Sequence, residues 1–504
     1  CVHSCGSNKF KPTLMNISHF IRRLARISVR HSCAISVAVL SMLVEVASAA
    51  SLPKLPTSIE VAQEDIERAR TAYADMSKDT PPFADAALQE YVASIGARLA
   101  SKAPRANIQL RFTILDSEGI FAYSFADGQV VISRGMLVYL NCEAELAAVL
   151  GHEIGHISAL HQARYWQQIR KVMELEAKLG KRFSSNQARE MLDTFSLAHV
   201  RGYSREQEVE ADAFGEQILK SAGYEPIAMA RLLNFLAQYD NYIDAMGFHM
   251  WQLPENDVGG AGVFATHPSS AARLELALKR QHAKLTIRPP DPSYLNHLNG
   301  LRYGLAERFG IQRNTLFVHA SRRMAFTVPM HWYVFGNRDE IIAATTENSS
   351  IVRIRVEAHA KDESVHDAIK RMSRFDKATF EPVTTNATKG EIAIVTGEKD
   401  KPPVLLAVLD LDGQRVYCRA FTTNSETWVN QKENIQSVIR SVRGPAPQES
   451  VIEPLHVAID QAISAGALSP APGFTNHAQQ TTELLNQLFP DGRVTAGQWI
   501  KLVR

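Results

Sequence analysis

The sequence predicts a multidomain chain: a mainly α-helical first domain with a small β-sheet, then an α+β domain, then a small C-terminal module. Three observations carry this expectation. The 504 residues, 45% hydrophobic and 21% charged with no low-complexity tract, exceed what one hydrophobic core usually holds. Apolar residues recur at helical spacing to about residue 283 and alternate at strand spacing from about residue 312. Pro289-Pro290-Asp291-Pro292 and Pro445-Ala446-Pro447 punctuate the chain. The expected divisions are a leader at 1–50 and domains at 51–290, 312–444 and 450–504.

The leader holds Lys9, Lys11, Arg22, Arg23, Arg26 and Arg30 against Glu45 alone, then the apolar run from Ala34 to Val44, then Ala47-Ser48-Ala49-Ala50. This is the layout of a secretory signal peptide cleaved near Ala49, with Met15 as the expected start. The apolar run is too short to span a bilayer well, and Leu24-Ala25-Arg26 fits a twin-arginine signal poorly. The mature protein is therefore expected to be soluble. With the leader at +5 and the whole chain at +2, the remainder carries −3, which gives no electrostatic case for nucleic acid or an anionic membrane. Two cysteines remain beyond the leader, Cys142 and Cys418, far apart and without metal-ligand spacing; buried free thiols are expected.

In chain order, Ile59, Val61, Ile66 and Ala69 form one helical stripe, and Leu88, Tyr91, Val92, Ile95 and Leu99 a second, separated by Pro81-Pro82. Ile108 to Leu115 alternates like a strand, and Val130-Val131-Ile132 follows the turn signal Asp127-Gly128. Helices are expected around His152, at 186–199, 204–221 and 226–239. The glycine- and aromatic-rich stretch 244–268 reads as a functional loop. It is not a nucleotide fingerprint, because no strand leads into it and its G-x-G-x-x-G spacing is incomplete. Beyond 312, strand patterns at 351–356, 404–409 and 415–417 and amphipathic helices at 364–373 and 427–442 make the α+β domain.

His152-Glu153-Ile154-Gly155-His156 lies in an apolar, helix-compatible run from Glu145 to Leu160. Residues four apart share a helix face, so His152 and His156 aim two imidazoles at one metal ion, with Glu153 beside them as a general base. A catalytic zinc site needs a third protein ligand and one open position. The metzincin pattern fails, because Ala159 and Gln162 replace its glycine and last histidine, and His161 is one residue short. The better candidate is Tyr203 to Gly215, where Ser204 can cap a helix. Glu208 and Asp212 share one face there, so one carboxylate can bind metal while the other fixes a histidine tautomer. Glu206 and Glu210 fall on other faces and are expected to be solvated.

Leu146 to His161, with Tyr203 to Gly215 and Ala222-Gly223-Tyr224, resembles the gluzincin family of zinc metallopeptidases that contains the CAAX prenyl protease and HtpX, in its soluble periplasmic branch. The resemblance covers roughly residues 55–283. It implies one Zn2+ per chain held by His152, His156 and Glu208, with Glu153 as general base and Asp212 behind a ligand. It aligns Thr266-His267-Pro268 and Arg273 with a His-Pro…Arg element facing the zinc cleft. Arg273 would then stabilise the tetrahedral oxyanion, a helix-surface salt bridge being the alternative. His267 would assist catalysis, occupy the open zinc position as a self-inhibitory ligand, or be structural. The strand Gln129, Val130, Val131, Ile132, Ser133 would be an edge that pairs with extended peptide, although Phe121-Ala122-Tyr123 stands where the family commonly has Asn-Ala-Phe. The implied function is a periplasmic zinc endopeptidase acting on misfolded or unassembled envelope proteins. Its partners would be polypeptide substrates and envelope or outer-membrane assembly proteins. The alternative is an envelope chaperone or assembly factor whose metal site His267 largely shuts.

Phe326-Thr327-Val328-Pro329-Met330-His331-Trp332, with the helix at 427–442, looks like the Mog1/PsbP-type α+β fold. Val494 to Val503 resembles the end of a LysM module, which binds peptidoglycan. The usual Gly-Asp-Thr opening is missing near 450–470, so the segment reads as a degenerate remnant and peptidoglycan binding is not expected. No 34-residue period marks a tetratricopeptide array.

Overall fold

The computed structural model describes residues 55–56, 59–105, 108–179, 204–246, 270–336, 338–358, 363–372, 377–385, 388–396, 401–449, 452–470, 478–490 and 492–504. The leader, the helix expected at 186–199, Tyr203 and most of the glycine-rich stretch, His267 included, lie outside the described residues.

Helices α1 (Gln63–Asp79) and α2 (Ala86–Ala100) lie on either side of the proline pair, and the Asp85 carboxylate accepts the Leu88 N–H to cap α2. Of the predicted stripe Leu88, Tyr91, Val92, Ile95 and Leu99, all are buried except Tyr91, which is half-buried. Strands β1 (Arg111–Leu115), β2 (Ala122–Ser124) and β3 (Gln129–Ser133) form a sheet in the order β1-β3-β2, with β3 parallel to β1 and antiparallel to β2. The edge expected at Gln129, Val130, Val131, Ile132 and Ser133 is thereby corrected. This strand is the sheet's centre, buried at every residue and paired on both sides, and it has no ladder left for a peptide. The outer edge next to it belongs to β2, whose three residues are too few to show an alternation in sequence.

Helix α3 (Arg134–Tyr139) leads into α4 (Glu143–Ser158), which is buried from Glu145 to Ser158. Helix α4 ends at Ala159, and Leu160, at φ 54°, turns the chain into α5 (His161–Leu179). Helix α6 (Arg205–Ser221) starts with a capping box in which Ser204 and Gln207 satisfy each other's backbone N–H. Helices α7 (Ile227–Met246) and α8 (Ser270–Gln281) complete the helical layer. Helices α4 and α6 touch backbone to backbone. A Cβ on Gly155 would sit 2.5 Å from the Ala211 carbonyl oxygen, and one on Gly215 would sit 3.1 Å from the His152 nitrogen.

The proline run expected to be a linker is packed. The Asp291 N–H donates to the Asn141 carbonyl, Asp291 caps α9 (Pro292–Leu295), and the buried Tyr294 hydroxyl donates to the Leu137 carbonyl. After β4 (Arg302–Tyr303), the strands β5 (Ile311–Arg313), β6 (Leu316–His319) and β7 (Met324–Thr327) form a small sheet. An antiparallel seven-stranded sheet follows. It comprises β8 (Trp332–Gly336), β9 (Ile341–Thr345), β10 (Ser350–Ala358), β11 (Ala378–Thr384), β12 (Lys389–Val395), β13 (Val404–Leu411) and β14 (Gln414–Thr422), in the order β11-β12-β13-β14-β10-β9-β8. Strand period two sends Leu405, Ala407 and Leu409 to one face, under Trp428 and Ile435 of α11 (Ser425–Arg440). Leu406 and Val408 go to the other, under Ile369 of α10 (Val365–Met372). Cys418 and Cys142 are buried free thiols, as expected.

The C-terminal segment is β15 (Leu455–Gln461), α12 (Ala478–Leu485) and β16 (Trp499–Val503), with β15 paired to both β16 and β4. Val457, Leu484, Leu485 and Val503 belong to the same apolar core as α2, α4 and α7. Lys501 of β16 is fully buried, and its ammonium donates to the Val138 and Leu140 carbonyls at 2.8 Å each, at the end of α3. Nearby, the buried Glu145 carboxylate accepts from the Asn141 N–H and the Gln487 amide. Among the described residues, no helix is long and apolar enough to cross a membrane.

Candidate metal centre

The glycine-lined contact of α4 and α6 brings three predicted residues together. His152 Nε2 and His156 Nε2 are 3.0 Å apart, and the Glu208 carboxylate lies 3.5 Å from each of them, through Oε2 and Oε1 respectively. One ligand atom from each lies within 4.8 Å of the others, and all three side chains are buried. Two imidazole nitrogens and one carboxylate oxygen converging on a point is the donor set of a catalytic zinc site, with a position left for substrate or water. The residues therefore fit the ion. Glu153, one residue along α4 from His152, is buried beside them and adds to the negative potential felt by Arg273.

Spacing alone left open which carboxylate binds; the geometry assigns the roles. Asp212 Oδ1 is 2.9 Å from His152 Nδ1, on the far side of the ring from the site. Arg273 grips Asp212 with a fork, Nε to Oδ2 at 2.9 Å and Nη2 to Oδ1 at 2.7 Å. Its Nη1 lies 2.7 Å from Glu208 Oε2, in ion contact though off the line of a directed hydrogen bond. Arg273 is thus not the surface salt bridge that the sequence offered as one reading. It is buried, and its nitrogens are committed to two carboxylates of the site, which they hold in place. Burial would raise the Asp212 carboxyl, but the Arg273 charge and hydrogen bonds keep it far below the usual carboxylate range. Burial also opposes a charge on His152, but hydrogen bonds to Asp212 and Glu208 lift its value in the metal-free protein to about 9.

Behind His156 stands a group that sequence reasoning passed over. His161 is fully buried, its Nδ1 lies 2.7 Å from His156 Nδ1, and its Nε2 lies 3.2 Å from Glu210 Oε2, which also accepts from Arg164 at 2.8 Å. Glu210 is therefore a partner of the centre rather than a solvated helix acid, whereas Glu206 is exposed as expected. Helical periodicity could not reveal this. His161 follows His156 by five residues, and only the left-handed turn at Leu160 folds it back onto the ligand.

Comparison with known proteins now bears on this geometry. The model of peptidase family M48 matches residues 86–281, the span that contains every one of these side chains. Residues 86–281 belong to peptidase family M48. The chain therefore carries a metallopeptidase domain, and His152, His156 and Glu208 lie within it. The domain is similar to the Beta-barrel assembly-enhancing protease of Escherichia coli (strain K12), at 28% identity over 263 residues, 49% of this chain and 51% of that protein. It is also similar to the Mitochondrial metalloendopeptidase OMA1 of Arabidopsis thaliana, at 28% identity over 161 residues, 31% of this chain and 28% of that protein. The chain thus spans about half the length of the first of these relatives, and less of the second. The solution structure of cyanobacterial PsbP from Synechocystis covers 27% of this chain and 96% of its own, with 12% identity and a TM-score of 0.22, which carries no fold assignment.

In the M48 domain the outer edge of β2 borders the centre through α5. Phe121 and Phe125 bond to β3, so the ladder alternation turns the backbone groups of Ala122 and Ser124 outward. The Gln162 side chain, one residue past His161, already takes two groups at this edge. Its amide donates to the Ser124 carbonyl at 2.8 Å and accepts from the Ala126 N–H at 2.7 Å.

Proposed function

We propose that this chain is an exported zinc endopeptidase of the cell envelope that cleaves misfolded or unassembled envelope proteins. The observation that carries the reading is the buried convergence of His152, His156 and Glu208 with Glu153 beside them. Bound there, a zinc ion lowers the pKa of water and polarises a peptide carbonyl. Glu153 takes the proton of the attacking water and delivers it to the leaving amine. Asp212 and Arg273 keep His152 and Glu208 in their coordinating orientations. The name of the Escherichia coli relative, an assembly-enhancing protease for β-barrels, supports an envelope substrate, and the signal-like leader supports periplasmic export. The outward N–H and carbonyl of Ala122 on β2 would offer an extended peptide its backbone partners, next to the Ser124 carbonyl that Gln162 already holds. For the downstream regions the proposals are a Mog1/PsbP-like α+β domain and a degenerate LysM-like segment, the latter supported by its strand-helix-strand order.

The test is cleavage of an unfolded protein by the purified chain, with metal content measured in parallel. Glu153→Gln should keep zinc and lose about 10²–10⁴-fold in rate; full activity in the zinc-loaded variant rejects Glu153 as the base. Ala122→Pro removes one outward N–H without touching the ladder to β3, so it should raise KM while zinc stays bound. An unchanged KM removes β2 from substrate binding. Cleavage by a His267→Ala variant but not by the wild type identifies a self-inhibited enzyme. If neither cleaves and the zinc-loaded protein instead suppresses aggregation, the chaperone reading replaces this one.

A further inference from the structure

We infer that His161 is a positioning residue for the metal centre: it fixes the coordinating tautomer of His156 through a one-way chain of hydrogen bonds that ends on Glu210 and Arg164. The inference rests on the metal-site reading above and goes beyond it. The proton directions are forced by the contacts. His156 Nδ1 and His161 Nδ1 are 2.7 Å apart, with the rings 70° from coplanar, so one nitrogen carries the hydrogen and the other the lone pair. His156 presents Nε2 to His152 and Glu208, so coordination through Nε2 leaves its hydrogen on Nδ1, donating to His161. His161 must then accept at Nδ1 and hold its own hydrogen on Nε2, which faces the Glu210 carboxylate at 3.2 Å. Arg164, 2.8 Å from the same oxygen, keeps that carboxylate an acceptor.

The reverse arrangement fails at both ends. A hydrogen on His161 Nδ1 would require a lone pair on His156 Nδ1, and neutral His156 would then carry its hydrogen on the nitrogen that must bind metal. It would also turn the lone pair of His161 Nε2 toward a carboxylate. Each junction therefore favours the same tautomer of His156.

The two ligand histidines are held differently, and charge explains why. His152 meets Asp212 directly, with Arg273 to balance it. A second carboxylate placed directly on His156 would join Glu208, Asp212 and Glu153 in the same buried volume, where Arg273 already serves two of them. A neutral imidazole carries the hydrogen bond instead. It moves the negative charge out to Glu210, whose cation partner Arg164 is partly exposed. The five-residue step from His156 to His161, closed by the turn at Leu160, makes this possible within one stretch of chain.

The experiment measures zinc affinity of the full chain by competition with a chromophoric chelator, with far-UV circular dichroism as the check on folding. His161→Leu, which removes the acceptor, should bind zinc about 10–100-fold more weakly. His161→Asn, which keeps an acceptor near the position of Nδ1, should recover most of that loss. Glu210→Met should fall toward the lower end of the same range. Nitrogen-15 spectra of labelled histidine should show His161 protonated on Nε2 and bare on Nδ1. A folded His161→Leu variant within twofold of wild-type affinity overturns the inference, as does a proton on His161 Nδ1. If His161→Leu does not fold, Glu210→Met at wild-type affinity overturns it equally. A wild-type chain that takes up no zinc overturns the metal-site reading itself, and this inference with it.

Discussion

At the scale of single residues, a proton and a bound cation would compete for His152. With its value lifted to about 9 by Asp212 and Glu208 against the pull of burial, the ring favours its charged form at neutral pH, and a metal bound there would have to displace a proton. Zinc uptake at pH 7 should therefore release about one proton from this ring, read from calorimetric heats in two buffers of different ionisation enthalpy. Heats that do not depend on buffer contradict this. The linkage has a definite sign. The folded value lies above the ordinary 6.5, so this group's contribution to stability is complete below about 6.5 and is lost as pH rises through 9. The metal-free protein should accordingly lose melting temperature between pH 6.5 and 9, and the zinc-loaded protein should lack that loss.

At the scale of elements, the site exists because two helices meet at glycines. The stretch from Glu145 to Ser158 is buried on all sides, so its sequence shows an unbroken apolar run rather than a stripe. Helix α6 can bring Glu208 between the two histidines only if its backbone comes up to α4. With the Ala211 carbonyl oxygen 2.5 Å from where a Cβ on Gly155 would sit, Gly155→Val must push the helices apart. We expect a destabilisation of about 1–3 kcal/mol, read as a lower melting temperature. A disproportionate fall in zinc affinity should accompany it, because Glu208 moves away from both imidazoles. Wild-type zinc affinity in this variant would show that the crossing does not set the ligand distances. The motif was legible, and so were the cap of α6 and the carboxylate pair Glu208 and Asp212. The place of β2 at the edge was not, because three residues carry no period.

At the scale of the whole molecule, the segment Leu455 to Val503 is built into the core of the peptidase region. Lys501 lies 363 and 361 residues along the chain from Val138 and Leu140, yet its ammonium donates to both their carbonyls just ahead of the helix that bears the motif. Burial pulls its pKa well below the usual lysine value, with the Glu145 charge opposing. Lys501→Met keeps the length of the side chain but leaves the Val138 and Leu140 carbonyls without the donor they have in the interior. It should cost about 1–3 kcal/mol, the usual penalty of leaving a buried hydrogen-bonding group unsatisfied, measured as a lower melting temperature of the full chain. An unchanged melting temperature would show that the C-terminal strand is dispensable to the peptidase core.

The sequence by itself determined the set of groups: two imidazoles four apart, a neighbouring carboxylate, and two further carboxylates four apart on a capped helix. Those relations are local, and a helix of 3.6 residues per turn makes them geometric facts before any folding is known. It also determined the break between the helical and α+β regions, because that break is written in periodicity. Tertiary structure decided the rest. That Glu208 converges with the two imidazoles while Asp212 stands behind His152, that Arg273 grips both carboxylates, and that His161 and Glu210 stand behind His156 all depend on contacts between segments 5 to 121 residues apart. The position of β3 in its sheet and the burial of Lys501 are decided the same way. Such contacts are set by the crossing of packed helices and the order of strands, which no spacing along the chain encodes.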